Sequence, residues 1–223
     1  MKKPTITQPA GIGKFKKILL HGPSGAGKTR FASTFPSAII FDIEGGTMSI
    51  DKDRKVAVVA KEEINLSNLM EYVDWLATPE AAQFETVVID SLTYLQTMFL
   101  NEKLPTVADP RQAYGQWQQY LTTLMKKLFD LQKNVIFICR SKMGEDIEGA
   151  EKLFPELAPS AFSVVPALVD FALVITSETT GLGLKATTKQ YAYSQHPKYW
   201  TKTRALTEAK FEPNYEGFQG AVK

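Results

Sequence analysis

Short apolar runs alternate along the chain with longer stretches whose apolar residues recur at helical spacing, and that alternation predicts a parallel α/β sheet. Seven runs read as strands: KKILLH (16–21), AIIFDI (38–43), KVAVVA (55–60), TVVID (86–90), NVIFICR (134–140), DFALVIT (170–176) and KQYAYS (189–194). Between them, helices are expected to begin near Lys28, near Leu66, at Ser91 and near Ala113. Asn65 or Ser67 is available to cap the second of these, because a short oxygen-bearing side chain can accept from the free N–H groups of a first turn. The longest helix, about 113–133, carries Trp117, Tyr120, Leu121, Leu124, Leu128 and Leu131 at helical spacing, a core-packing stripe. From about Gln195 the sequence turns polar, holds Gly and Pro and loses its period. An irregular tail is expected there. No internal repeat or low-complexity tract divides the chain, so residues 1–223 read as one domain.

Composition narrows the class. At 223 residues and 44% hydrophobic content the chain can bury one good core, and at 22% charged residues it is not a disordered chain. The longest apolar run, Val164 to Thr176, is interrupted by Asp170 and is too short to cross a bilayer. The N-terminal stretch lacks the apolar segment of a secretion signal, so a soluble protein of the cytoplasm is expected, with no membrane partner. The single cysteine, Cys139, sits inside VIFICR, where it reads as a buried core thiol. Net charge is only +2, but it is unevenly spread. Residues 1–41 hold seven basic and no acidic residues, 42–182 hold twelve and twenty-one, and 183–223 hold seven and three. Basic ends around an acidic middle could face a polyanion, or could simply be solvated lysines.

The chemistry starts in ILLHGPSGAGKTRF (18–31). Gly22, Pro23, Ser24, Gly25, Ala26, Gly27, Lys28 and Thr29 fit G-x-x-x-x-G-K-[ST] throughout, with an apolar run before and a helical pattern after. Glycines there let the backbone curl so that its N–H groups converge on phosphate oxygens. Lys28 adds a point charge, and Thr29 offers a hydroxyl to Mg²⁺. A carboxylate at the end of a neighbouring buried strand completes such a metal site, and Asp90, closing TVVID, is the candidate. The alternative is that Asp90 caps the helix SLTYLQTMF, a job Ser91 could equally do. Hydrolysis further requires a group that orients and deprotonates water. Ser91 follows Asp90 where many phosphate-loop ATPases have glutamate, so a base must come from elsewhere or nothing is hydrolysed. FDIEGG supplies Asp42 and Glu44 on one face of a strand, and Glu44 is the candidate base; otherwise it is a surface acid in a Gly-Gly turn.

FDIEGGT followed by VVIDS resembles the RecA-type recombinase core. The small size, the GPSGAGKT loop and the terminal TKTR are most similar to the phage RecA-like single-strand annealing ATPases of the Sak-four type, over about residues 15–204. The resemblance implies a three-layer P-loop NTPase fold, a RecA-like core whose mostly parallel central sheet carries helices on both faces. It implies ATP and Mg²⁺ as cofactors, Glu44 as the water-activating base, Asp90 with Thr29 at the metal, and Arg140 as a polar sensor where RecA proteins commonly carry glutamine. Lys202 and Arg204 resemble the K-x-R pair that RecA-like rings and filaments insert into a neighbour's site; the other reading is a solvated basic tail. An arginine supplied in trans is worth about 10³–10⁵ in rate. The implied partners are single-stranded DNA, further copies of the chain and a single-strand-binding protein. DNA would meet the segments 103–115, with Arg111, Tyr114 and Trp117, and 141–161, although the latter is more acidic than basic. The N-terminal lysines, Lys185, Lys189, Lys198, Tyr199 and Trp200 are further candidates. Two other classes stay open, a small-molecule or nucleotide kinase and a non-catalytic ATP-gated partner of replication proteins. A kinase needs an arginine-rich lid, and the basic residues near 140–152 are diluted by acids.

Overall fold

The computed structural model describes residues 13–181 and 186–222. In chain order the elements are β1 (Lys17–His21), α1 (Lys28–Ser33), β2 (Ala38–Asp42), β3 (Ala57–Val59), α2 (Leu66–Trp75), β4 (Thr86–Asp90), α3 (Leu92–Lys103) and α4 (Pro110–Asp130). They continue with β5 (Asn134–Cys139), β6 (Ser141–Glu145), β7 (Glu151–Pro155), α5 (Pro159–Phe162), α6 (Val165–Leu168), β8 (Phe171–Thr180), β9 (Thr187–Tyr193), β10 (Lys210–Phe211) and α7 (Tyr215–Ala221). All seven expected strands form, with ends moved by a few residues.

Eight strands make one sheet in the order β10-β9-β8-β1-β5-β4-β2-β3. From β8 to β3 every neighbouring pair is parallel, while β9 and β10 add an antiparallel edge. The central strands β2, β4 and β5 are buried at every residue, as strands covered on both faces must be. Two-residue alternation divides their side chains between two cores. Leu19, Ile39, Phe41, Val87, Ile89, Val135 and Phe137 pack under α2, α3 and α4. Ile18, Leu20, Ile40, Val88, Ile136 and Ile138 pack on the other face with Phe31 and Phe35 of the α1 region and Phe218 of α7. This is the expected three-layer P-loop NTPase architecture.

The helix starts follow local capping chemistry. Asn65 takes the α2 cap, accepting from Ser67 N at 3.0 Å and Asn68 N at 2.9 Å. The long helix begins at Pro110 rather than near Ala113, because Asp109 accepts from Arg111 N at 2.9 Å and Pro110 needs no donor partner at that position. Its apolar stripe is core as expected, Trp117, Leu121, Leu124 and Leu128 being fully buried.

Two segments depart from the expectation. Residues 141–155 fold into a separate two-stranded hairpin, β6–β7, whose outer edge at Leu153 is bridged by Tyr199. The expected irregular tail instead returns to the sheet. Lys202 bridges Ala172, β10 pairs with β9, and Asn214 caps α7 by accepting from Gly217 N at 2.7 Å. Only a few apolar residues are needed for this. Phe218 is 1% exposed, with its ring 5.3 Å from that of Phe171 and 5.6 Å from that of Phe35, so α7 completes the layer that the short helix α1 leaves open.

Burial of that order makes Phe218 a structural residue. Phe218→Ala should lower the unfolding free energy by about 3 kcal/mol in urea titration, against a few tenths for a residue of a solvated tail.

Candidate functional site

The site lies at the carboxyl ends of β1, β2, β4 and β5, where an open parallel sheet presents its loops. Gly22 leaves β1 so close to β8 that a β-carbon would stand 2.2 Å from the Ile175 carbonyl oxygen, hence glycine. Gly27 opens α1 with φ 90°, a left-handed backbone that other residues rarely adopt. Between them the loop curls, and Lys28 Nζ donates to the carbonyls of Gly22 at 2.9 Å and Pro23 at 2.8 Å. Burial lowers the Lys28 pKa, with Asp90 and Glu44 among the groups that oppose the shift.

Asp90 and Ser91 divide the work that the sequence left ambiguous. Ser91 is the helix cap, its Oγ accepting from Tyr94 N at 3.2 Å. The same hydroxyl donates to Glu44 Oε2 at 2.7 Å, so the cap also holds the candidate base. Asp90 is thereby free of capping and faces the phosphate loop, where Thr29 Oγ1 donates to its Oδ2 at 2.6 Å. The Asp90 carbonyl accepts from Ile43 N at 2.7 Å and Glu44 N at 3.2 Å, fixing the exit of β2 against that of β4. Thr29 and Asp90 fit a magnesium ion, which takes few protein oxygens and keeps water or phosphate in its other positions. Among the described residues no cluster of three or more His, Cys, Asp or Glu could hold a metal by itself.

Asp42 has a different task from Glu44. Its Oδ1 accepts from Gly45 N at 2.9 Å and Gly46 N at 2.7 Å, and its Oδ2 from Thr47 N at 3.2 Å and Thr47 Oγ1 at 2.6 Å. It shapes the turn that delivers Glu44, and it is spent in doing so. The resulting cleft encloses about 810 Å³ and brings together Ser24, Gly25, Gly27, Lys28, Thr29, Glu44, Asp90 and Arg140. Arg140 pairs with Glu156 at 3.2 Å on the rim. Burial pushes the Asp90 carboxyl up to about 6, against the Thr29 hydrogen bond, and the neighbouring charges of Asp42 and Glu44 push the same way.

Two residues of the site carried no sequence signal. Gln190, on the antiparallel strand β9, lines the cleft against Gly27. His21, immediately before the loop, is fully buried. Its Nε2 lies 2.8 Å from the Trp200 carbonyl, which can only accept, so Nε2 carries the proton and Nδ1 accepts from Ser141 Oγ at 2.8 Å. Burial drives its pKa down to about 4. It is a neutral tie between β1, the β6–β7 hairpin and the returning C-terminal segment.

Lys202 and Arg204 do not line this cleft. They run beside the start of β8, at the opposite end of the sheet. Lys202 Nζ donates to the carbonyls of Pro166 at 2.6 Å and Val169 at 2.7 Å, and Arg204, half exposed, reaches Asp170 at 3.3 Å. Of the residues considered for DNA, Trp117 is a correction: it is fully buried between α3 and α4, with its ring 5.4 Å from that of Phe99, and cannot stack on a base. Tyr114 and Arg111 remain at the surface and border a second cleft of about 750 Å³. Lys189 pairs with Glu212 at 2.8 Å, and Lys198 is exposed. The ring of Tyr199 stacks on His196 at 4.1 Å, and Trp200 packs edge-on against Phe162 at 5.2 Å. Lys17 turns inward to the Lys133 carbonyl at 2.9 Å, while Lys2, Lys3 and Lys185 lie outside the described residues. No helix among the described residues is long and apolar enough to cross a membrane.

Comparison with known proteins follows the same lines. A family model described as an AAA domain matches residues 14–205. Among solved structures, the chain is similar to a KaiC-like protein from the hyperthermophilic archaeon Pyrococcus horikoshii OT3, with 17% sequence identity and a TM-score of 0.52. The match covers 89% of this chain and 87% of that one. At that identity the likeness concerns the fold. No curated protein sequence matches.

The raised Asp90 pKa has a stability consequence of definite sign. Between the ordinary value of 3.8 and about 6 the folded chain holds the extra proton, so Asp90's contribution to stability is lost as pH rises through that window. Asp90→Asn removes the cost of the ionised form. Thermal or urea unfolding should show the variant more stable than wild type at pH 8 by about 3 kcal/mol at most, with the gap closing as pH falls to 4.

Proposed function

The chain belongs to the AAA domain family, and on that premise we propose that it is an ATP- and Mg²⁺-dependent RecA-like ATPase that binds single-stranded DNA and promotes annealing or strand exchange in phage DNA recombination. The observation that carries the reading is the division of labour between neighbouring strand ends. Glu44 ends the β2 side of the cleft, held at 2.7 Å by Ser91, while Asp90 beside it serves Thr29. A base and a metal carboxylate on different strands is the arrangement of a RecA-type hydrolytic site.

The chemistry follows from these positions. Backbone N–H groups of the loop and the Lys28 ammonium bind the β and γ phosphates. A magnesium ion held by Thr29 and Asp90 would neutralise charge that develops on the phosphate oxygens. Glu44 orients a water and takes its proton, and Ser91 keeps that carboxylate from turning to solvent. Arg140 adds positive charge on the rim, at a distance set by its pair with Glu156. Arg111 and Tyr114, exposed on the α4 side, support single-strand binding by phosphate contact and base stacking. We assign to Arg204 a role in a neighbouring subunit's site, because its guanidinium is half exposed and held by one ion pair, whereas Lys202 is tied to two carbonyls as a strut.

Phosphate release measured with and without single-stranded DNA tests the whole reading. DNA should accelerate turnover, Lys28→Ala should abolish nucleotide binding, and Glu44→Gln should bind normally but turn over about 10²–10⁴-fold more slowly. A rate indifferent to DNA, together with no retention of DNA in a filter assay, overturns the DNA assignment. Arg204→Ala should leave ATP affinity intact and slow hydrolysis, and mixtures of wild-type and variant chains should retain intermediate activity. Full activity in a strictly monomeric sample would refute the role in trans.

A further inference from the structure

We propose that Gln190 is a phosphate-positioning residue of the nucleotide site, delivered from the antiparallel edge of the sheet. The inference rests on the nucleotide reading above and extends it to a strand that carries no motif. β9 runs antiparallel to β8, with Gln190 opposite Ser177. β8 is the strand whose Ile175 carbonyl packs against Gly22 at the start of the phosphate loop. The β8–β9 pair therefore stands directly against the loop, and Gln190 is the β9 side chain that enters the cleft.

Its carboxamide sits where a side chain at Gly27 would have to be. A β-carbon there would lie 2.9 Å from Gln190 Oε1 and 3.1 Å from Nε2. Exchanging oxygen and nitrogen swaps these two positions, and in either assignment the amide nitrogen stands within 3.1 Å of that point. Gly27 and Lys28 supply N–H groups to the phosphate cradle, so the amide N–H of Gln190 adds a donor at the lip of that cradle. Among the described residues the carboxamide makes no hydrogen bond of its own. The neighbours on β9 are differently engaged: Lys189 pairs with Glu212, and Thr188 hydrogen-bonds Thr179. A half-buried amide held by a rigid strand and aimed at a phosphate-binding turn is an available donor for a non-bridging phosphate oxygen. A neutral donor suits the place, since Lys28 already supplies the charge.

A purely steric role, bracing Gly27, is the competing explanation, and glutamate separates the two. Glu has the size of Gln and would keep the brace, while replacing the donor by a negative charge facing phosphate. ADP and ATP affinities should be measured for wild type, Gln190→Ala and Gln190→Glu, with Lys28→Ala as the control for the site itself. The proposal expects Gln190→Ala to weaken both nucleotides about tenfold. Gln190→Glu should weaken them more, with a larger loss for ATP than for ADP. If Gln190→Glu binds within twofold of wild type, the residue is no phosphate donor, whatever happens to the alanine variant. Wild-type binding that Lys28→Ala abolishes and Gln190→Glu leaves untouched would overturn this inference alone. Absence of nucleotide binding in the folded wild-type chain would overturn it together with the nucleotide reading.

Discussion

Asp42 and Asp90 stand directly opposite each other in the parallel register of β2 and β4, both buried, and the rest of the site is arranged around that fact. Two carboxylates at adjacent strand ends repel and are costly to desolvate. The chain resolves the conflict by giving them unequal surroundings. Asp42 is surrounded by four donors from one turn, which satisfies its oxygens and sets the path of Gly45 and Gly46. Asp90 receives a single hydroxyl and faces the cleft, and its raised pKa records the shortage of compensation. A site built this way is poised for positive charge, which Lys28, Arg140 and a divalent cation can supply. Glu44 adds a third carboxylate to the same space, and its hydrogen bond to Ser91 fixes where that charge sits.

The cleft would not keep this shape on the parallel strands alone. The phosphate loop is walled on one side by the β8–β9 pair, through the close approach of Gly22 to Ile175 and of Gly27 to Gln190. Behind the loop, His21 joins β1 to the hairpin and to the C-terminal segment, partners 120 and 179 residues away in sequence. A neutral imidazole is the natural group for such a junction, since it can donate on one side and accept on the other without a buried charge. The segment it holds then runs past the start of β8, where Lys202 and Arg204 pin it, and ends in α7 over the second core. What reads as a tail is therefore part of the scaffold that sets the loop's position.

Much of this was legible in the sequence, and the exceptions have physical causes. The central strands β1, β2, β4 and β5 stand out because strands covered on both faces must be apolar throughout. The phosphate loop is legible because its chemistry demands glycines and a lysine at fixed spacing. Asp90 closes such a strand and Glu44 follows two residues after the end of another, which puts both at the cleft. The hairpin β6–β7 escaped detection because one face is solvated, leaving SKMGE without an apolar signature. α7 escaped because two buried residues, Phe218 and Ala221, suffice for a seven-residue helix that covers an existing hydrophobic surface. Gln190 and His21 have no local signal, since each acts through partners brought near only by the completed sheet. Trp117 shows the opposite error: an aromatic residue beside a candidate binding segment was available to two readings, and its place in the helical stripe decided for the core.

The pattern of costs points to where the free energy of nucleotide binding would act. Lys28 is buried enough for its pKa to fall, and its ammonium donates to two neutral carbonyls. Asp90, on the facing wall, is buried enough for its pKa to rise. Each group is thus held in a form that burial disfavours, and their mutual attraction only partly offsets that cost. A phosphate chain would give Lys28 an anionic partner, and its accompanying cation would give Asp90 a positive one. The same desolvation that shifts both pKa values would strengthen those contacts, because opposite charges attract more strongly where water is excluded. Local stability is given up at the strand ends and recovered on binding, while the two packed cores and the returning C-terminal segment keep the sheet rigid enough to hold the arrangement.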